Sequence, residues 1–199
     1  KLLQRLRALF DSDVAQPSEF RPRYFNVGYG LREGDSELSR AEPVAVKLSN
    51  GFVLQLRGKL DRVDVDPSGT ARLVDYTTRD FDRFRKKHPT ATLESHAARL
   101  AAEALGLNVD GFAYYFLGMD ETKSLDFSRE SWEQSRADLV HRMEFASGNV
   151  ANGAFFPHPT DACRLCEARP ACGSGRFTHK WEFDLPQTES FRLLYGGAS

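Results

Sequence analysis

The sequence predicts an α/β fold built on a mixed, largely antiparallel central sheet flanked by helices. Three observations carry this expectation. Strand-like runs separated by turn residues fill the first third of the chain. A helical stretch closed by glycine then leads into one more apolar strand. Of the 199 residues, 41% are hydrophobic, enough for one well-buried core.

Taken in order, residues 1–10 (KLLQRLRALF) have helical spacing, with Leu2, Leu3, Leu6 and Phe10 on one side. Pro17 and Pro22 break that pattern. Strand-like runs follow at 23–31, 43–48 and 51–65, and Asn50-Gly51 between the last two is a hairpin turn signal. Pro67-Ser68-Gly69 makes another turn before an apolar strand at 71–78, so this part reads as an antiparallel meander. Leu93, Ala97, Leu100, Ala101 and Ala104 then mark a helix that stops at Gly106, with a strand at 109–117 behind it. A second helix at 128–145 carries Trp132, Arg136, Leu139, Val140 and Met143 along one stripe. Four segments result: a helix and linker over 1–22, a core over 23–150, a cysteine-rich segment over 151–175 and a tail over 176–199.

Charged residues make up 28% of the chain, yet the net charge is −1. No global basic field points to nucleic acid, so any DNA contact has to come from a local patch. No apolar run approaches the roughly 20 residues that a membrane helix needs, and no signal peptide opens the chain. It begins at Lys1 and ends in Gly-Gly-Ala-Ser, which reads as a piece of a larger protein. Three cysteines cluster between Cys163 and Cys172, unlike a secreted disulfide framework, so a cytoplasmic location is expected.

Chemistry concentrates in GKLDRVDVDPSGTARLVDYTT, residues 58–78. On two strands, Lys59, Asp61 and Val63 share one face of the first, and Asp75, Thr77 and Arg79 share one face of the second. A hairpin can then bring Asp61 and Asp75 together. Two carboxylates forced together repel unless a cation sits between them, and hard oxygen ligands suit Mg2+ or Mn2+. Such a metal activates water and offsets the charge that builds on a reacting phosphate. The plainer alternative pairs Asp61 with Arg62 or Arg79 and leaves Asp64 and Asp66 as solvated turn residues.

The pattern Gly-x-x-Asp-Arg-x-Asp, a turn, then an apolar strand ending Asp-Tyr-Lys-Thr resembles the active-site signature of RecB-like nucleases in the PD-(D/E)XK superfamily. Gly58, Asp61, Arg62 and Asp64 match its first part, and Asp75, Tyr76 and Thr78 its second. The resemblance implies a restriction-endonuclease-like core, with Asp61 and Asp75 as metal ligands. The family's lysine falls on Thr77, whose neutral hydroxyl cannot polarise water or offset phosphate charge as an ammonium does. Three explanations compete: a degenerate, non-cutting relative, migration of the role to Lys59, or a residue altered by engineering. The run 93–107 resembles the helix carrying the family's Gln-x-x-x-Tyr, which helps place DNA, but Glu94 stands at the Gln position and Ala98 at the Tyr position. The family's upstream histidine has no match here. The stretch RYFNVGYGL, residues 23–31, resembles the strand preceding the catalytic hairpin in AddB-like proteins.

Residues 155–173 contain Cys-x2-Cys-x5-Cys, and soft thiolates so close suit zinc or an iron–sulfur cluster, with three unbound thiols the plainer alternative. The layout resembles AddB and RecB-like CRISPR-associated nucleases, in which such a trio and one distant upstream cysteine bind a 4Fe–4S cluster that staples the domain. That implies a cluster on Cys163, Cys166 and Cys172 with the fourth ligand outside this chain, zinc being the fallback. Two readings of function follow. One is a metal-dependent nuclease acting on DNA ends or single strands beside a helicase subunit or helicase domain. The other is a non-catalytic DNA-binding or scanning module of such an assembly. The basic run Arg79, Arg83, Arg85, Lys86 and Lys87 suits phosphate contacts in either, or else a solvated loop. A zinc-stapled interaction domain is a third reading.

Overall fold

Alternation of buried and exposed side chains sorts most of the chain into one mixed sheet with helices against it. The computed structural model describes residues 2–15, 18–31, 36–118, 121–153 and 167. The chain divides into two compact units, Lys1–Leu139 and Val140–Ser199.

The first unit opens with α1 (Leu2–Ala15). Leu9 is its buried side chain, packed with Val74, Ala113 and Tyr115. Leu2, Leu3 and Phe10, expected together on the apolar side, are exposed. The rotation has a cause. Asp13, one turn beyond Leu9 and on the same face, pairs with Arg62 on the sheet at 2.7 Å.

β1 (Arg21–Tyr29) does not pair with the strand after it. β2 (Val44–Lys47) and β3 (Val53–Leu56) close on each other around the Asn50-Gly51 turn, where Gly51 takes φ +87°, and form a two-stranded sheet of their own. The expected single strand 51–65 therefore breaks at Arg57, and β4 (Gly58–Val65) joins β1 in the main sheet. Gly58 permits the change of sheet, because a Cβ there would lie 2.7 Å from the Tyr29 hydroxyl. The simple meander is thus corrected to the order β1-β4-β5-β6-β7, with β2–β3 as an excursion.

β5 (Thr70–Thr77) follows a turn in which the Asp66 carboxylate accepts the Ser68 and Thr70 N–H groups, each at 2.8 Å. It runs antiparallel to β4. α2 (Phe81–Lys87), capped by Asp80, lies inside the basic run, where charge conceals the helical spacing of Phe81 and Phe84. α3 (Leu93–Ala104) starts with a Thr92/Ser95 capping box and stops before Gly106, at φ +91°, as the sequence predicted. The crossover returns as β6 (Asn108–Leu117), parallel to β5. The edge strand β7 (Thr122–Ser128) went unpredicted because its alternation exposes mostly polar residues. α4 (Arg129–Ala151) buries Trp132 and Leu139.

One sheet face carries Leu73, Phe112, Tyr114 and Phe116 against Phe84 of α2 and Ala98, Ala101 and Ala102 of α3. The other carries Val74, Ala113 and Tyr115 against α1. Of the second unit, the described residues are the end of α4, a turn at Asn152 and Gly153, and Glu167. Cys163, Cys166 and Cys172, and the tail 176–199, lie outside the described residues. No helix among the described residues is long and apolar enough to cross a membrane.

Candidate active site

The β4–β5 ladder pairs Arg62 with Val74, and one more step of the same register sets Asp61 opposite Asp75. The backbone pairing itself ends at Arg62 and Val74. In place of a further rung, the Tyr76 N–H donates to Asp61 Oδ2 at 3.0 Å. Burial first, then the charges of Asp61 and Glu94 and a hydrogen bond with Asp61, push the Asp75 carboxyl up to about 7, while Arg79 pulls the other way. Below that pH Asp75 keeps its proton.

The pair opens into a cavity of about 320 Å³ also lined by Arg57, Lys59, Glu94 and Ala98. Glu94 enters from the first turn of α3. The Tyr114 hydroxyl donates to Glu94 Oε2 at 3.1 Å and bonds the Thr92 hydroxyl at 2.8 Å. Tyr114 also sits beside Asp75 in the β5–β6 register. One buried phenol therefore ties the start of α3 to the strand carrying Asp75. The sequence had suggested a DNA contact for Glu94, but a third carboxylate in this pocket repels phosphate unless a cation stands between them. Ala98, one turn further along α3, lines the cavity with a small side chain.

Lys59 lines this cavity and Thr77 does not. The Thr77 hydroxyl instead accepts the Arg79 N–H at 3.3 Å. Arg79 is exposed, with its guanidinium 5.6 Å from the centre of the Phe84 ring. Arg83, Arg85, Lys86 and Lys87 are exposed on α2, where Arg85 pairs loosely with Asp82 at 3.5 Å. The basic run therefore lies largely on a short helix that follows β5, rather than on a loop. Arg57 is the cavity residue that sequence reading missed. Its signal was the alternation Arg57-x-Lys59-x-Asp61.

Arg62 and Asp64 belong to the opposite face. Asp64 is 0% exposed and accepts from Arg62 Nη2 at 2.9 Å and Arg72 Nη2 at 3.1 Å. Arg62 also donates to Asp13 at 2.7 Å and to the Tyr76 hydroxyl at 3.1 Å. Neither half of the plainer alternative holds as stated, since Arg62 pairs with Asp64 and Asp13 rather than Asp61, and Asp64 is buried. Only Asp66 is a turn residue. Tyr76 joins the two faces, its N–H holding Asp61 and its hydroxyl held by Arg62.

Among the described residues, no group of three or more His, Cys, Asp or Glu is gathered to hold a metal. The donors at hand are the two carboxyls of Asp61 and Asp75. That set fits Mg2+ or Mn2+, which bind through one or two carboxylates and complete their shell with water and phosphate oxygens. The repulsion that raises Asp75 is what such a cation relieves.

No curated protein matches the chain. The family model of the PD-(D/E)XK nuclease superfamily matches residues 1–173, which span the whole sheet and both carboxylates. The chain belongs to the PD-(D/E)XK nuclease superfamily.

Proposed function

We propose that this chain is the nuclease-type domain of a bacterial DNA end-processing helicase–nuclease of the RecB/AddB kind, hydrolysing phosphodiester bonds with Mg2+ or Mn2+. The observation that carries the reading is the meeting of Asp61 and Asp75 at a cavity that Lys59 also lines. Asp61 and Asp75 would hold the cation. Bound there, it supplies positive charge beside the phosphate and makes water a better nucleophile at neutral pH. Lys59 takes the part that Thr77 cannot play, offsetting charge on the phosphate from the neighbouring strand. The exposed cations of α2 hold the DNA backbone beside the cavity. Cys163, Cys166 and Cys172 supply three soft thiolates for a 4Fe–4S cluster, with zinc as the fallback.

Thr77 favours a second reading, a DNA-binding and scanning module that no longer cuts. The two are separated by incubating the protein with linear DNA in Mg2+ or Mn2+. The nuclease reading expects cleavage that Lys59→Ala and Asp75→Ala each reduce about a hundredfold or more, the usual cost of one positioned electrostatic contact. The scanning reading expects bound, uncut ends, and cleavage appearing in Thr77→Lys. Cleavage that survives both Lys59→Ala and Asp75→Ala would refute the site.

A further inference from the structure

We infer that Arg57 is a phosphate-binding residue of this site, a guanidinium clamp set at the rim of the cavity that holds the acidic pair. The inference rests on the metal-dependent reading of that cavity and adds to it a residue outside the family signature.

Four observations lead there. Arg57 lies between β3 and β4, where the chain passes from one sheet to the other, and it lines the same cavity as Asp61, Asp75 and Glu94. Carried back one residue, the alternation of β4 puts Arg57 on the side of Lys59 and Asp61. The backbone is shaped around its stem. Gly30 is held at φ +69°, with its N–H shared between the carbonyls of Arg40 and Glu42 at 3.0 Å each. A Cβ added at Gly30 would lie 2.5 Å from Arg57 Cγ and 3.0 Å from Pro43 Cα, so the missing methyl is the slot through which the stem passes. Finally, Arg57 makes no hydrogen bond or ion pair among the described residues, although three carboxylates line the cavity with it.

An arginine fixed at its root, with no ion pair at its tip among the described residues, is pre-arranged for an oxyanion from outside. Guanidinium matches phosphate with two parallel hydrogen bonds, which an ammonium cannot do. A cation on the acidic pair and Arg57 at the rim would then grip the phosphate from two sides, with Lys59 between them along the strand. An isolated surface arginine would need neither the glycine nor its positive φ.

The test is fluorescence-anisotropy binding of a short blunt-ended duplex in Ca2+ over a series of NaCl concentrations, beside the Mg2+-induced rise in Tm without DNA. Arg57→Ala should weaken binding roughly tenfold or more, as loss of a charged hydrogen bond does. It should also flatten the plot of log affinity against log salt by about 0.9, the share of one phosphate contact, and leave the Mg2+ response intact. Arg57→Lys should restore the slope but only part of the affinity. Gly30→Ala, which drives the stem out of its slot, should reproduce the loss. An unchanged salt slope in Arg57→Ala, with the Mg2+ response abolished by Asp75→Asn, would overturn the clamp and keep the metal site. An Mg2+ response that survives Asp75→Asn would overturn both.

Discussion

Replacing Asp75 by Asn should make the cation-free protein more stable, by a margin that grows as pH rises from about 4 to about 7 and is constant above. Asp75 is raised from 3.8 to about 7, chiefly by burial and then by Asp61 and Glu94. A carboxyl raised in the folded state stabilises the fold while protonated, and that contribution is lost as pH rises through 7. The shift of about three units corresponds to about 4 kcal/mol at 1.36 kcal/mol per unit. Because the site opens to solvent, roughly half of that survives screening, or about 2 kcal/mol. Asn keeps the shape and a hydrogen bond to Asp61 without the second charge. In a domain of this size about 2 kcal/mol moves Tm by roughly 4–8 °C. Thermal unfolding in EDTA should therefore show Asp75→Asn level with the parent below about pH 4, part of the way ahead at pH 5 and higher by that amount at pH 8. Adding Mg2+ at pH 8 should raise the Tm of the parent and not that of the variant, since a cation that binds only the folded state at a hundred times its Kd adds about 2.7 kcal/mol. Near pH 6, calorimetry in two buffers should find about one proton released per cation bound. A Tm difference that is the same at pH 5 and pH 8, or a variant less stable at pH 8, would refute the account of two repelling carboxylates.

Two further outcomes bear on the back of the sheet and on the cysteines. Asp64→Asn leaves the Arg62 and Arg72 guanidiniums facing a neutral partner at a fully buried position, which should cost about 3 kcal/mol and lower Tm by roughly 6–12 °C, whereas Asp66→Asn on the exposed turn should cost far less. Equal losses for the two would show that burial and not the sequence motif was misjudged. If the cysteines hold the proposed cluster, the protein purified without oxygen should be brown with absorption near roughly 400 nm and should lose that colour in Cys166→Ser. A colourless parent with one zinc per chain would replace the cluster by a zinc staple.

The carboxylate pair could be found in the sequence because its cause is local. Period-two alternation and a short turn are enough to set Asp61 against Asp75, and no distant contact is needed to decide the register. The α3 boundaries were legible for the same reason, since a capping box and a glycine are contained within the segment they delimit. Reading failed where a partner far along the chain made the decision. Nothing within 51–65 tells that the strand must break at Arg57. At the neighbouring position 58 the Tyr29 hydroxyl, 29 residues back, occupies the space a side chain would need. The rotation of α1 was likewise hidden, because Asp13 finds Arg62 across 49 residues and outweighs the apolar pattern of Leu2, Leu3 and Phe10.

The motif quoted as one string also turns out to serve two faces. Asp61 looks into the cavity, while Arg62 and Asp64 bind α1 to the back of the sheet, and Tyr76 spans the strand between them. The buried ions behind the sheet thus fix the strand whose backbone N–H orients Asp61. That arrangement holds the two carboxylates in place with Thr77 at position 77. The scaffold that positions them does not pass through Thr77, whose hydroxyl accepts only the N–H of Arg79. The cations that line the cavity beside the carboxylates come from β4 and the segment before it, as Lys59 and Arg57, and the cleavage assay on Lys59→Ala decides whether the proposed nuclease uses them.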